Sequence, residues 1–280
     1  MRFRHLITAA AVAALVWTAA ADGATLRQRA HAARSFAFAI GDGASTRDLS
    51  RYDLVVVDGD TSATRVAQLK RQGAVVLAYL SVGTIEPTRW WYRAAAPYRL
   101  ELWGDWGEWY ADTSKVAYRD LIATRVAPRI LAKGFDGLFL DNVDMIETHP
   151  AQATGMVAVV RALGRRVHGT GRLLFTQNGQ EILGPMLPVI DGWNREDVTA
   201  TFDFDTGRYR PVGVTDTRYA TAAIRRLRAA GKVVTTTDYM LAANLTARRR
   251  AVDVACRNGA LPFTSDIGLR RIAATPLRCP

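Results

Sequence analysis

Eight short apolar runs, separated by helical periods and turns, restrict this chain's fold more than any other feature. They are Phe36–Ile40, Leu54–Val57, Val75–Leu80, Leu138–Leu140, Leu173–Thr176, Val189–Ile190, Val233–Thr236 and Leu261–Phe263. Between them, Tyr118, Ile122, Val126 and Ile130 recur at helical spacing. Met156, Val160, Leu163 and Val167 repeat the pattern, and Ala223, Ile224 and Leu227 form a third apolar face. Gly134, Gly171, Gly231 and Gly259 stand where C-terminal helix caps belong. Strands that alternate with helices pair in parallel through right-handed crossovers. A single (β/α)8 barrel is the economical closure for eight such units. The alternative is a doubly wound open sheet. Its nucleotide-binding first turn is poorly matched here, because Gly41-Asp42-Gly43-Ala44-Ser45-Thr46 has neither the third glycine of a dinucleotide fingerprint nor a phosphate-loop lysine.

The barrel is expected to span residues 22–280 as one domain, since no linker, repeat or low-complexity block interrupts that span. Residues 1–21 read as a cleaved secretory signal. Arg2 and Arg4 precede an apolar run from Leu6, and Ala19-Ala20-Ala21 offers the small residues that signal cleavage needs. The protein is therefore expected to be secreted or periplasmic, and a disulfide between Cys256 and Cys279 becomes feasible. Neither these cysteines nor the four histidines form a metal-ligating pattern, so no metal and no cofactor are expected. The formal net charge is +11, and loss of Arg2 and Arg4 with the signal lowers it by two. The arginines are spread along helices, as in Arg225, Arg226, Arg228 and Arg248, Arg249, Arg250, rather than interleaved with aromatics. Nucleic acid is not an expected partner. Association with an anionic cell envelope is compatible with the charge, and a monomer is expected.

Polar groups stand at the C-terminal ends of the strands, where a parallel barrel holds its chemistry. Asp58, Ser81, Asp141, Asn142, Asn178, Glu196, Asp238 and Asp266 would converge on one mouth. Acidic groups without histidine suit glycoside hydrolysis, which needs one carboxylic acid to protonate the leaving oxygen and one carboxylate to attack or to activate water. Asp141 is the candidate for the ionised partner and Glu196 for the acid, with its proton affinity raised by burial and by Asp141. Asp144 either contacts substrate or caps its loop, and Asp136, before the strand, is a turn residue on the far side. The long stretch from Val82 to Thr113 reads as an irregular, tryptophan-rich loop after the third strand, carrying Trp90, Trp91, Trp103, Trp106 and Trp109. Indole faces stack on sugar rings, and the same residues would also pack as a small satellite core.

Three segments then resemble one family. Ala78-Tyr79-Leu80-Ser81-Val82-Gly83, Gly134-Phe135-Asp136-Gly137-Leu138-Phe139-Leu140-Asp141-Asn142-Val143-Asp144 and Gln177-Asn178-Gly179-Gln180-Glu181 resemble glycoside hydrolase family 114, the endo-α-1,4-polygalactosaminidase group. The chain is similar to the hydrolase domain of bacterial proteins that handle the exopolysaccharide Pel. The resemblance implies a (β/α)8 barrel that hydrolyses α-1,4-linked galactosamine or N-acetylgalactosamine polymers with retained configuration. It implies a catalytic Asp at the fourth strand's end, which falls on Asp141, and a catalytic Glu after the sixth strand, which falls on Glu196. The substrate contacts expected around them are Asp58, Tyr79, Ser81, Asn142, Asp144, Asn178, Trp193 and Asp238. A deacetylated polymer is cationic, in tension with a basic protein, whereas an acetylated one is neutral. A non-catalytic glycan-binding protein on the same barrel is the alternative.

Overall fold

The computed structural model describes residues 25–41, 44–273 and 275–280, so the expected signal segment lies outside the described residues. Thirteen strands are present among them. In chain order they are β1 (Phe36–Ala39), β2 (Leu54–Asp58), β3 (Val75–Ser81), β4 (Thr84–Ile85), β5 (Arg99–Trp103), β6 (Glu108–Ala111) and β7 (Gly137–Asp141). There follow β8 (Leu173–Gln177), β9 (Gly192–Glu196), β10 (Ala200–Asp203), β11 (Arg208–Pro211), β12 (Val233–Tyr239) and β13 (Leu261–Ser265). Eight of them form one sheet in the order β1-β2-β3-β7-β8-β9-β12-β13, and every neighbouring pair is parallel. This sheet curls into a barrel that is nearly closed. At the seam Phe36 of β1 packs edge-on against Phe263 of β13, with ring centroids 5.9 Å apart. The barrel is the expected one, with helices between its strands.

The helices cover the barrel with apolar stripes. In Ala153–His168 the buried face is Met156, Val159, Val160, Leu163 and Val167, laid against β7 and β8. Burying each such side chain contributes about 1.5–3 kcal/mol. Gly134, Gly171, Gly231 and Gly259 all have positive φ, as their capping positions require. The Tyr118–Ile130 stretch differs in detail. It is helical throughout, but Leu121–Val126 is a π-helical segment between Val116–Asp120 and Ala127–Leu131. Pro128 has no N–H to give to the preceding turn, and the wider turn absorbs that loss.

Three aspartates fasten the lower end of the barrel. Asp53, Asp136 and Asp191 each precede a strand, and their carboxylates accept backbone N–H groups of Arg34, Val76 and Leu174 respectively. Asp136 also pairs with Lys70 at 2.7 Å, and Asp191 with Arg27 and His168. These carboxylates are structural.

Two expectations are corrected. The sixth barrel strand is Gly192–Glu196 and not Val189–Ile190, because Val189 closes the 3-10 turn Leu187–Val189. The strand was hidden by its composition. It reads Gly-Trp-Asn-Arg-Glu, with Asn194 fully buried in a polar interior layer. The Val82–Thr113 stretch is not an irregular loop. It holds an antiparallel sheet in the order β4-β6-β5 and the short helix Tyr92–Ala95.

Cys256 and Cys279 are joined, with Cα atoms 5.3 Å apart, tying the C-terminal tail to the last helix, Leu245–Arg257. Loop-closure entropy gives a bridge over 23 residues about 3 kcal/mol. Cys256→Ser with Cys279→Ser is therefore expected to lower the urea midpoint, with ΔG of unfolding reduced by about that amount. An unchanged midpoint would mean the tail contributes nothing to global stability.

Candidate active site

The upper ends of β3, β7, β8, β9 and β12 surround a cavity of about 320 Å³. Its wall includes Tyr79, Glu86, Glu108, Asp141, Asn142, Asp144, Gln177, Asn178, Glu196, Asp197 and Tyr239. Among the described residues six carboxyl groups line it and no lysine or arginine does.

Asp141 ends β7. Its Oδ1 accepts the N–H of Asn142 at 2.7 Å and the amide of Gln177 at 2.6 Å. That second bond has a fixed polarity. Thr235 and Thr237 donate to Asn194 Oδ1, Asn194 Nδ2 donates to Gln177 Oε1 at 2.8 Å, and only the Gln177 NH₂ remains to face Asp141. The polar interior of the barrel thus requires an acceptor at its top, which Asp141 Oδ1 supplies. Asn142 sits in the left-handed region at φ 56°. Its side-chain amide donates to Ser81 Oγ at 2.9 Å and Thr84 Oγ1 at 3.0 Å, which pins the turn.

Glu196 ends β9. Tyr239 OH donates to its Oε1, and Asn178 Nδ2 donates to its Oε2 at 2.9 Å. The same Asn178 amide reaches Asp144 Oδ2 at 3.0 Å, so one side chain bridges two acids. Asn178 Oδ1 in turn accepts the Glu196 N–H. Asn178 also has positive φ, at 49°.

The acids are tuned apart. Burial pushes Asp141 up to about 6, opposed by its hydrogen bonds from Asn142, Tyr79 and Gln177. Burial pushes Glu196 well above the carboxylate range, and the charges of Asp141 and Asp197 add to it. Near neutrality Asp141 is then the ionised member and Glu196 the protonated one. Burial also raises Asp144 to about 6, and Asp197 and Glu108 each to about 7.

Tyr79, Asn142, Asp144 and Asn178 come together with Asp141 and Glu196 in this cavity. The other four expected substrate contacts do not line it. Asp58 is paired with Arg89 at 2.7 Å, and Arg89 also grips Glu86 with two hydrogen bonds. Ser81 is buried under Thr84. Trp193 is fully buried, its indole N–H given to the Asn178 carbonyl. Asp238 is fully buried and accepts the N–H groups of Thr199 and Ala200, fixing the entry to β10. All four support the site from behind.

Of the five tryptophans after β3, Trp103 and Trp106 line the cavity. Trp91 is buried, Trp90 lies under Arg129, and Trp109 lies under Arg99. Trp106, in the β5–β6 turn, meets Phe204, in the β10–β11 turn, with centroids 5.5 Å apart. The two hairpin tips thus close one side of the cleft. Gln177, Tyr239, Glu108 and Phe204 were not among the expected contacts. Gln177 had a visible signal, because it ends a strand beside Asp141. Glu108 and Phe204 sit on hairpins that strand-end logic does not reach.

Comparison with known proteins agrees with this geometry. Residues 16–269 match the model of glycoside-hydrolase family GH114. The glycoside hydrolase domain of PelA from Pseudomonas aeruginosa superposes with a TM-score of 0.73 at 26% identity, over 86% of this chain and 97% of that one. Aspergillus fumigatus Ega3, solved in complex with galactosamine, has a TM-score of 0.67 at 17% identity, over 84% and 92% of the two chains. An uncharacterised protein of Deinococcus radiodurans is 29% identical over 246 residues, 80% of this chain and 76% of its own. The chain belongs to glycoside-hydrolase family GH114 and is a glycoside hydrolase.

Proposed function

We propose that the protein cleaves an α-1,4-linked galactosamine polymer with retention of configuration. The observation that carries this is the acidic cleft itself, in which Asp141 and Asp144 are ionised near neutrality, Glu108 and Asp197 are partly so, and no lysine or arginine among the described residues lines the wall. A deacetylated amino sugar is an ammonium ion at neutral pH, and such a wall attracts it locally even though the protein's net charge is positive. The galactosamine seen in the Ega3 complex supports the same choice. Trp103 and Trp106 offer apolar surface for the sugar's C–H faces.

In this mechanism Asp141 attacks the anomeric carbon while Glu196 gives its proton to the departing glycosidic oxygen. The products are a free chain end and a glycosyl ester on Asp141. Glu196, now ionised, takes a proton from water as that water attacks the anomeric carbon and releases Asp141. Tyr239 and Asn178 hold Glu196 through both states by donating to either oxygen. Export before action is supported by the Cys256–Cys279 bridge, which belongs to an oxidising compartment.

The test is reducing-end release from deacetylated and fully acetylated α-1,4-galactosamine polymers. Faster turnover of the deacetylated polymer is expected. Cleavage of the acetylated polymer alone would overturn the charge argument. A pH profile follows from the same site. kcat/KM is expected to rise as Asp141 ionises near pH 6 and to fall on the alkaline side once Glu196 loses its proton. A profile flat from pH 5 to 9 would contradict that pairing.

A further inference from the structure

A second cavity, of about 300 Å³, opens beyond the ends of β12 and β13 and is lined by Met240, Arg248, Thr264, Ser265, Arg270 and Arg271 among others. β12 and β13 are the seventh and eighth barrel strands. The cavity is therefore on the same rim as Asp141 and Glu196, and the 266–271 turn separates it from the cleft. That rim position, over the last two strands, is where parallel barrels commonly cradle phosphate. It has no part in the glycosidic mechanism.

Its charge is unbalanced. Among the described residues three arginines line it and no carboxylate does. Arg271 is offset by Asp266, with Nε 3.3 Å from Oδ2, and gives a further bond to the Met240 carbonyl. Arg248 and Arg270 have no carboxylate partner among the described residues. Arg248 spends one nitrogen on the Ala242 carbonyl at 2.9 Å, while its Nε is buried without any partner. An unpartnered buried donor on a cation is costly unless something else supplies the acceptor. Arg248 also stands near the start of helix Leu245–Arg257, whose first turn has no acidic residue. A cation there is opposed by the helix dipole, and an anion beside it is favoured. Arginine's fork matches the oxygens of a phosphate, and two uncompensated guanidinium groups balance a phosphate dianion. The volume lies near the lower end of small-ligand pockets, roughly 300–1,000 Å³, and exceeds what a bare ion needs.

We propose that this cavity is an oxyanion site that takes a phosphate group, free or esterified to a sugar, beside the catalytic cleft. The proposal goes beyond the glycosidase reading and is tested without substrate turnover. The protein is titrated calorimetrically with inorganic phosphate against chloride at matched ionic strength. Saturable binding is expected, with one phosphate per chain. Arg248→Ala and Arg270→Ala are each expected to weaken it about tenfold, the loss of one charge-assisted contact, with unchanged circular dichroism. Arg270 is exposed, so its variant reports on binding even if Arg248→Ala is unstable. Absence of saturable binding, or binding unaltered in folded Arg270→Ala and Arg248→Ala alike, overturns the site. A hexose 6-phosphate distinguishes the sources. Binding at least as tight as that of inorganic phosphate assigns the esterified group, whereas exclusion of the ester with phosphate retained assigns the free ion.

Discussion

Glu196→Gln is expected to lower kcat/KM on the polymer by about 10²–10⁴-fold while leaving the fold intact and more stable at neutral pH. Gln is close to isosteric with the protonated acid. Its carbonyl can keep the Asn178 amide bond, and its NH₂ can turn to the Tyr239 hydroxyl. What it cannot do is deliver a proton. Asp141→Asn should cost about as much or more, since the amide keeps the contacts from Asn142 and Gln177 but cannot attack. The gain in stability follows from the raised proton affinities. Glu196, Asp144, Asp197 and Glu108 all bind protons more tightly folded than unfolded. Between the unfolded carboxylate range near pH 4 and the folded values of about 6 to 7, the folded state holds more protons, so stability is greatest at the acidic end and falls as pH rises through that window. Glu196→Gln removes one such group. A Tm increase of roughly 2–4 °C at pH 7 corresponds to about 1 kcal/mol in a domain of this size. A variant that is inactive because it is unfolded, or one that keeps wild-type kcat, would each contradict the assignment.

Gly83→Ala is expected to lower kcat/KM by about 10²-fold and to cost about 1–3 kcal/mol of stability, although Gly83 carries no chemistry. A Cβ on Gly83 would lie 1.8 Å from the carbonyl oxygen of Asn142 and 2.8 Å from Met145 Cγ. The backbone cannot yield cheaply there. Asn142 is already in the left-handed region, and its N–H is one of the three donors, with Gln177 and Tyr79, that hold Asp141. Displacing that peptide tilts the carboxylate away from the anomeric carbon. Steady-state kinetics and urea unfolding measure the two effects separately. A stable variant with unchanged kcat/KM would show that the Asn142 turn tolerates movement and that Gln177 and Tyr79 suffice to hold Asp141.

The barrel and the place of Asp141 at its mouth were legible in the sequence because they follow one-dimensional rules, whereas Glu196 was reached through the family resemblance and a strand placed too early. Leu138–Leu140 is an apolar strand that ends in an acid, and parallel strands end at the mouth. What was not legible depends on contacts between distant segments. β9 is invisible to an apolar-run search because its interior residue, Asn194, is polar and is satisfied by Gln177, Thr235 and Thr237 from two other strands. Asp58 and Asp238 obey the same strand-end rule as Asp141, but Arg89 and the Thr199–Ala200 backbone occupy them first. Trp193 was expected among the substrate contacts. Strand alternation turned it away from the cleft into the layer behind Asn178. Of the tryptophans after β3, the hairpin pairing of β5 with β6 brings Trp103 and Trp106 to the cleft and leaves Trp91 buried.

The central claim is that Asp141 attacks the sugar and Glu196 serves first as acid and then as base. It is tested most directly by following hydrolysis of a deacetylated α-1,4-galactosamine oligomer by proton NMR and recording which anomer of the new reducing end forms first. Two displacements at the same carbon predict the α-anomer first, with the β-anomer appearing later by mutarotation. The β-anomer first would mean a single displacement by water, with Asp141 as base rather than nucleophile, and would contradict the account.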